Sequence, residues 1–205
     1  SQFYDLGTGA KVDGLYWSNT QGYGLTVSGG KIFRIDDNGS YTNITGDAPN
    51  AGTKVSFTED GSRILLANGG RIIHTVGVTS AYIADADAPV DVTHLAFLDR
   101  YILANSKYTR GKVAFCNVND YSSWNAIDFF TAESHPDMIQ AILATWREVV
   151  IVGTDSIDIY YDDGTTPFAR LDGAYTEDGT IARYSVLAAD NTIFYLNKDK
   201  RVIRL

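Results

Sequence analysis

One arrangement recurs along this 205-residue chain and limits what it can become: a short β-branched run, a turn, and a second such run. The clearest copy is residues 61–77, GSRILLANGGRIIHTVG, where apolar runs at 63–67 and 71–76 flank Asn68-Gly69-Gly70. An Asn-Gly or Gly-Gly pair between such runs predicts a tight hairpin, because both central residues of that turn need positive φ. Upstream, Gly29-Gly30-Lys31-Ile32-Phe33 repeats Gly69-Gly70-Arg71-Ile72-Ile73. Downstream, Asp99-Arg100-Tyr101-Ile102-Leu103-Ala104-Asn105 repeats Ser62-Arg63-Ile64-Leu65-Leu66-Ala67-Asn68. Arg147-Glu148-Val149-Val150-Ile151-Val152 and Thr192-Ile193-Phe194-Tyr195-Leu196-Asn197 occupy the same slot. Successive copies are offset by about 40, 37, 47 and 45 residues, the range of a four-stranded propeller blade. The expectation is an all-β fold, a β-propeller of four-stranded antiparallel blades, with about five blades in this chain, or part of a larger propeller.

The repeat predicts one domain over residues 1–205, with blades near 11–46, 53–86, 91–132, 137–172 and 180–205. The last has three strands, and residues 1–10, through Phe3-Tyr4-Asp5-Leu6, are a candidate for its fourth. The alternative is a chain cut from a longer propeller. One stretch conflicts with the pattern. Met138, Ile139, Ile142, Leu143, Trp146 and Val149 follow helical spacing, with Ser134 or Asp137 available as a cap. The repeat places this stretch before Arg147 as residues 92–98 stand before Arg100, so an inner strand is expected there instead.

Composition narrows the function. A formal charge of −8 and no long charge run argue against ordinary nucleic-acid binding, where Lys and Arg neutralise phosphates. They argue equally against an anionic membrane surface. No apolar run has the length to span a bilayer, and no signal-peptide pattern opens the chain. The single cysteine, Cys116, forbids an internal disulfide. Asn38-Gly39-Ser40 and Asn43-Ile44-Thr45 read as chance sequons in turn-rich sequence.

Candidates for chemistry fall away, and no catalytic, cofactor or metal site is expected. His74, His94 and His135 are far apart, without zinc-site spacing. Gly7-Thr8-Gly9 lacks the third glycine of a dinucleotide fingerprint, and Val27-Ser28-Gly29 lacks the leading glycine of a nucleophile elbow. Asp85, Asp87 and Asp91 lack the central glycine and terminal glutamate of a calcium loop and read as turn formers. Thr58-Glu59-Asp60-Gly61-Ser62 begins like a sialidase Asp-box, but the tryptophan that should follow is missing.

The longest departure from the repeat is residues 119–137, which carry Tyr121, Trp124 and Phe129. Long ordered loops on rigid scaffolds tend to carry function, and exposed aromatics anchor interfaces. These three residues are therefore candidate interface residues. The competing reading is that Trp124 and Phe129 fill the gap between blades.

The run Asn119-Asp120-Tyr121-Ser122-Ser123-Trp124-Asn125-Ala126-Ile127-Asp128-Phe129, followed by Ala132-Glu133 and Pro136-Asp137, resembles a signature of the packaged-DNA stabilisation proteins of short-tailed bacteriophages. These are the tail accessory or hub proteins below the portal. The likeness continues through Arg147-Glu148-Val149, Gly153-Thr154, Tyr160-Tyr161, Pro167-Phe168, Gly173-Ala174, Tyr184-Ser185-Val186, Asp190-Asn191 and Phe194-Tyr195-Leu196. Tyr195 stands where a tryptophan is expected, and members of the family are longer, which favours a fragment.

The resemblance implies a structural virion protein of the phage tail, assembled in the host cytoplasm, and not an enzyme. It implies a homo-oligomeric ring, commonly a hexamer, that extends the portal channel, retains packaged DNA and seats the tail needle or spike. The implied partners are the portal protein and other tail proteins, with DNA as contents of the channel rather than a sequence-specific ligand, and no membrane. Two other readings are a propeller interaction scaffold of the WD-repeat sort, whose Trp-Asp and Gly-His dipeptides do not recur here, and a carbohydrate-active propeller enzyme. Clustered carboxylates with perturbed pKa in the central channel would support the enzyme.

Overall fold

The computed structural model describes residues 5–132, 134–135, 137–164, 168–190 and 192–205. Almost every element is a strand, and the strands group into five antiparallel blades. Blade one is β1 (Val12–Ser18), β2 (Tyr23–Ser28), β3 (Lys31–Asp36) and β4 (Tyr41–Gly46). Blade two is β5 (Ser56–Glu59), β6 (Ile64–Ala67), β7 (Ile73–Val76) and β8 (Thr79–Tyr82). Blade three is β9 (Leu95–Leu98), β10 (Tyr101–Asn105), β11 (Lys112–Asn117) and β12 (Asp120–Thr131). Blade four is β13 (Ile139–Thr145), β14 (Glu148–Gly153), β15 (Ile157–Tyr161) and β16 (Ala169–Thr176). Blade five has three strands, β17 (Leu187–Ala189), β18 (Thr192–Leu196) and β19 (Val202–Arg204), preceded by a 3-10 turn at Arg183–Ser185. Each blade meanders in chain order, and the inner strands β1, β5, β9, β13 and β17 follow one another around a common axis. This is the β-propeller that the repeat predicts.

The reason for the continuous apolar runs lies in the second strand of each blade. Successive side chains of a strand point to opposite faces, and here both faces meet a neighbouring blade. Ile64 and Leu66 enter the layer between blades one and two, whereas Leu65 and Ala67 enter the layer between two and three. Likewise Val149 and Ile151 pack toward blade three, and Val150 and Val152 toward blade five. The apolar interior is thus a series of inter-blade layers.

Met138 and the residues after it form no helix: β13 is an inner strand paired with β14, from Ile139↔Gly153 to Thr145↔Glu148. The helical spacing has a physical origin. The register shifts between Ile139 and Ala141, so the bulge places Ile139 and Ile142 on the same side, toward blade three. Trp146 is the exposed tip of the following hairpin, at φ 51°.

Three expectations are corrected. The Asn68-Gly69-Gly70 segment does join two paired strands, but not as a two-residue turn. β6 and β7 pair from Ile64↔Thr75 to Leu66↔Ile73, leaving a longer loop, and Gly69 N–H donates to Val92 O (2.6 Å) while Val92 N–H donates to Gly70 O (2.9 Å). The glycines therefore serve a backbone contact with blade three. The repeat predicts an outer strand near Ala126 to Phe130; it is present but longer, the 12-residue strand β12, and takes in residues 120–125 that read as loop. Residues 181–186, where the last blade was expected to begin, are a 3-10 turn and its flanks. Phe3 and Tyr4 of the candidate fourth strand lie outside the described residues, as do Glu133, Pro136, Pro167 and Asn191. Asp5 lies against blade one, its carbonyl accepting from the Tyr41 hydroxyl (3.1 Å).

A polar latch recurs where the second strand ends. Asn68 accepts from Asn50 N–H (3.1 Å) and donates to Asn50 O (2.7 Å). Asn105 accepts from Thr93 N–H (3.0 Å) and His94 N–H (2.8 Å), and Asn197 from Asp199 N–H (3.0 Å) and Arg201 N–H (2.9 Å). In blade four the roles are exchanged. The Asp137 carboxylate accepts from Asp155 N–H (2.6 Å) and Ser156 N–H (3.2 Å), and a Cβ on Gly153 would stand 2.3 Å from it. Replacing Asn105 by alanine strands two buried amides, so a loss of about 2 kcal/mol is expected in urea unfolding. A loss within error would show that water serves those amides equally well.

Candidate functional site

β12 carries all three candidate interface residues. Its pairing with β11 runs normally from Lys112↔Thr131 to Ala114↔Phe129 and resumes at Cys116↔Trp124, so Phe115 alone stands opposite residues 125–128. This wide bulge interrupts an outer edge that would otherwise be a long template for strand addition. Asn125 Oδ1 accepts from Ile127 N–H (3.2 Å) and holds the bulge in shape, leaving Ile127 77% exposed.

The three aromatics separate. Trp124 is buried in the layer between blades two and three; its backbone N–H donates to Asp85 Oδ2 (3.0 Å) and its indole to Tyr121 O (2.9 Å). Tyr121 is half-buried, its ring 5.3 Å from that of His74 and 5.3 Å from the Arg63 guanidinium. Burial, then the Arg63 charge, holds the His74 imidazole below its ordinary range. Phe129 is 45% exposed, and the Lys112 ammonium sits 4.4 Å above its ring. Trp124 is thus a packing residue here, while Phe129 and Ile127 present apolar surface.

Beside the bulge lies a cleft of about 650 Å³, lined by Ala88, Val90, Tyr108, Lys112 and Ala126 among others. Val90 and Tyr108 are exposed on its rim. The nearby aspartates have structural partners. Asp85 accepts from Trp124 N–H and Asp87 N–H (2.9 Å), which hold its carboxyl below the usual range. Asp91 accepts from Ser106 Oγ (2.7 Å) and Tyr108 N–H (3.0 Å). Among the described residues no cluster of His, Cys, Asp and Glu has metal-site geometry. Burial pushes the Cys116 thiol up to about 11, so it stays protonated.

Among the inner strands of blades two, three and four the space is small. A cavity of about 240 Å³ lies between Phe57, His94, Leu143, Arg183 and Tyr184, and no carboxylate lines it among the described residues. The Tyr184 hydroxyl reaches across to Lys54 O (3.1 Å) in the entry to blade two. Such a space holds a few waters or one side chain, not a nucleic-acid duplex. Sequence reading missed this crossing segment, whose only signal was an aromatic in an inter-blade connector.

Solved structures show the same architecture. The computationally designed Ika8 protein superposes with a TM-score of 0.61 at 19% identity, over 94% of this chain and 57% of its own. PorZ of Porphyromonas gingivalis gives 0.62 at 15%, over 98% of this chain and 28% of its own. Virginiamycin B lyase from Staphylococcus aureus gives 0.59 at 14%, over 95% and 66%. At such identities the likeness concerns the fold alone, and the chain spans well under two thirds of the first two proteins. No curated protein sequence matches it. A family model described as bacteriophage P22 Gp10, a β-propeller, matches residues 2–202. With that match over nearly its whole length, this all-β chain belongs to the phage stabilisation family and is a structural protein of the phage tail.

Proposed function

We propose that the protein extends the channel below the portal as one subunit of a homo-oligomeric ring, six-fold as the family resemblance implies, retains packaged DNA and provides the seat for the tail needle or spike. The observation that carries this reading is the family match over residues 2–202. Two physical features support it. A net charge of −8 suits a wall past which DNA must slide, because it offers few cations to grip phosphates. The Tyr184 bridge to Lys54 O leaves little room among the inner strands of blades two, three and four, so in this reading the conduit runs between subunits. The protein serves as a rigid body and not as a catalyst.

Contact with a neighbouring subunit or tail protein centres on β12, with Phe129 and Ile127 as the contact, Tyr121 at the rim and Trp124 as buried support. Mixing the purified chain with portal protein and measuring native mass tests the assembly; a strictly monomeric chain that never joins the portal would overturn it. Joint replacement of Ile127 by aspartate and Phe129 by glutamate is expected to weaken assembly at least about thirtyfold while leaving the monomer folded. In a gel-shift at physiological salt no tight DNA complex is expected, and a submicromolar one would contradict the sliding wall.

A further inference from the structure

In blades three, four and five the hairpin between the first two strands turns on two residues. In blades three and five the first of these is an aspartate: Asp99 (φ 46°) follows the pair Leu98↔Tyr101, and Asp190 (φ 48°) follows Ala189↔Thr192. Aspartate tolerates a left-handed backbone because its short polar side chain can bond locally. Blade four has Trp146 at this place, after the pair Thr145↔Glu148, at φ 51°. A bulky ring is an outlier there, and the conformation is strained. Packing offsets little of that strain. The indole is 62% exposed, and among the described residues it makes no ring contact and its N–H has no hydrogen-bond partner.

The next residue, Arg147, lines a cleft of about 480 Å³ with Glu148, Tyr161, Asp162, Asp163 and Leu171. Tyr161 is half-buried and Leu171 is exposed, so part of the wall is apolar. Asp162 Oδ1 accepts from Gly164 N–H (2.8 Å), and among the described residues neither Glu148 nor Asp162 stands in an ion pair. The turns between first and second strands, and between third and fourth, emerge at this same end of the propeller. They add Asp37, Asp60, Asp99 and Asp190 against Arg63 and Arg100. The end is acidic, so it attracts a basic partner and repels the same end of another copy.

We propose that Trp146 and the adjoining cleft form a docking site for a basic segment of a partner protein, in which arginine or lysine alternates with apolar residues. A cationic side chain enters the cleft, its methylene stem along Leu171 and Tyr161 and its charge against Glu148 and Asp162. The indole covers a neighbouring apolar residue of the segment. The strained turn is retained because it presents the ring, and only the complex offsets it. This surface belongs to blade four, whereas the assembly contact on β12 belongs to blade three.

Calorimetric titration of the 205-residue chain with a short peptide of core Arg-Leu-Arg-Leu-Arg, at physiological salt, tests this. A Kd in the tens of micromolar is expected, weakened at least about tenfold by Trp146→Asn and about threefold by Glu148→Gln with Asp162→Asn. Trp17→Ser removes another exposed ring and leaves the affinity unchanged, and a peptide with glutamate in place of arginine does not bind. Asparagine suits the left-handed turn, so Trp146→Asn also raises the melting temperature, which a packing role would reverse. No binding by the wild type, equal binding by Trp146→Asn or by the glutamate peptide, or an equal loss in Trp17→Ser would each overturn the site. A lower melting temperature in Trp146→Asn assigns the ring to packing, and a concentration-dependent dimer lost in that variant assigns the surface to a second copy; either result defeats the proposal.

Discussion

Arg170→Ala is expected to lower the unfolding free energy by about 3 kcal/mol, because it leaves a carboxylate buried without its cation. Asp158, on β15, is 1% exposed; Arg170, from β16, approaches its Oδ1 with Nε at 3.1 Å and Nη2 at 3.0 Å. Ser134 completes the group, its hydroxyl donating to the same oxygen (2.5 Å) and its N–H to Oδ2 (3.3 Å). The pair therefore fixes the connector from blade three onto the outer half of blade four. Because the large loss reflects the stranded charge rather than the net strength of the pair, Asp158→Leu combined with Arg170→Met is expected to recover most of it. Urea unfolding of the single and double variants measures both. A single-variant loss below about 1 kcal/mol would mean that water reaches Asp158 and the pair behaves as a surface one.

The second large effect is at Gly46. Here β4 and β8, the outer strands of blades one and two, pair in parallel through Thr45↔Thr79 and Gly46↔Ser80, which joins the two blades into one eight-stranded sheet. Gly46 has φ +125°, and a Cβ on it would stand 2.0 Å from the Ser80 carbonyl oxygen. The obstacle is backbone, so it cannot turn aside. Gly46→Ala is expected to cost about 3 kcal/mol through backbone strain and separation of the strands. Gly52→Ala is the internal control: φ +72° with nothing within 4 Å predicts a penalty of about 1 kcal/mol from conformation alone. Equal losses in thermal unfolding would show that the contact with Ser80 yields without cost.

Much of the fold was legible because a strand buried on both faces has little freedom in what it can contain. Leu65 and Leu66 serve different layers, so neither position tolerates polarity, and the same constraint writes a similar run into each blade. The bulge in β13 was illegible for the opposite reason: a register shift of one residue imitates helical spacing in any single window, and only comparison with the other copies exposes it. Asn68, Asn105 and Asn197 were visible as a recurrence, yet Asn68 and Asn105 serve backbone amides 11 to 18 residues earlier, whereas Asn197 serves those of its own turn. Trp124 illustrates the limit of reading a site. Its burial depends on Asp85, 39 residues earlier, receiving its backbone N–H, and no local pattern encodes that bond.

The layered interior has a mechanical consequence. Since each sheet adheres to its sequence neighbours, tension along the array is shed one seam at a time instead of by collapse of a single nucleus. Among the described residues the thinnest seam, between blades four and five, holds six buried residues against twelve in each of the two before it, whereas the first seam is stitched by paired backbone. Pulled from its ends, the chain should tear at its C-terminal side first and keep its N-terminal pair of blades to the last.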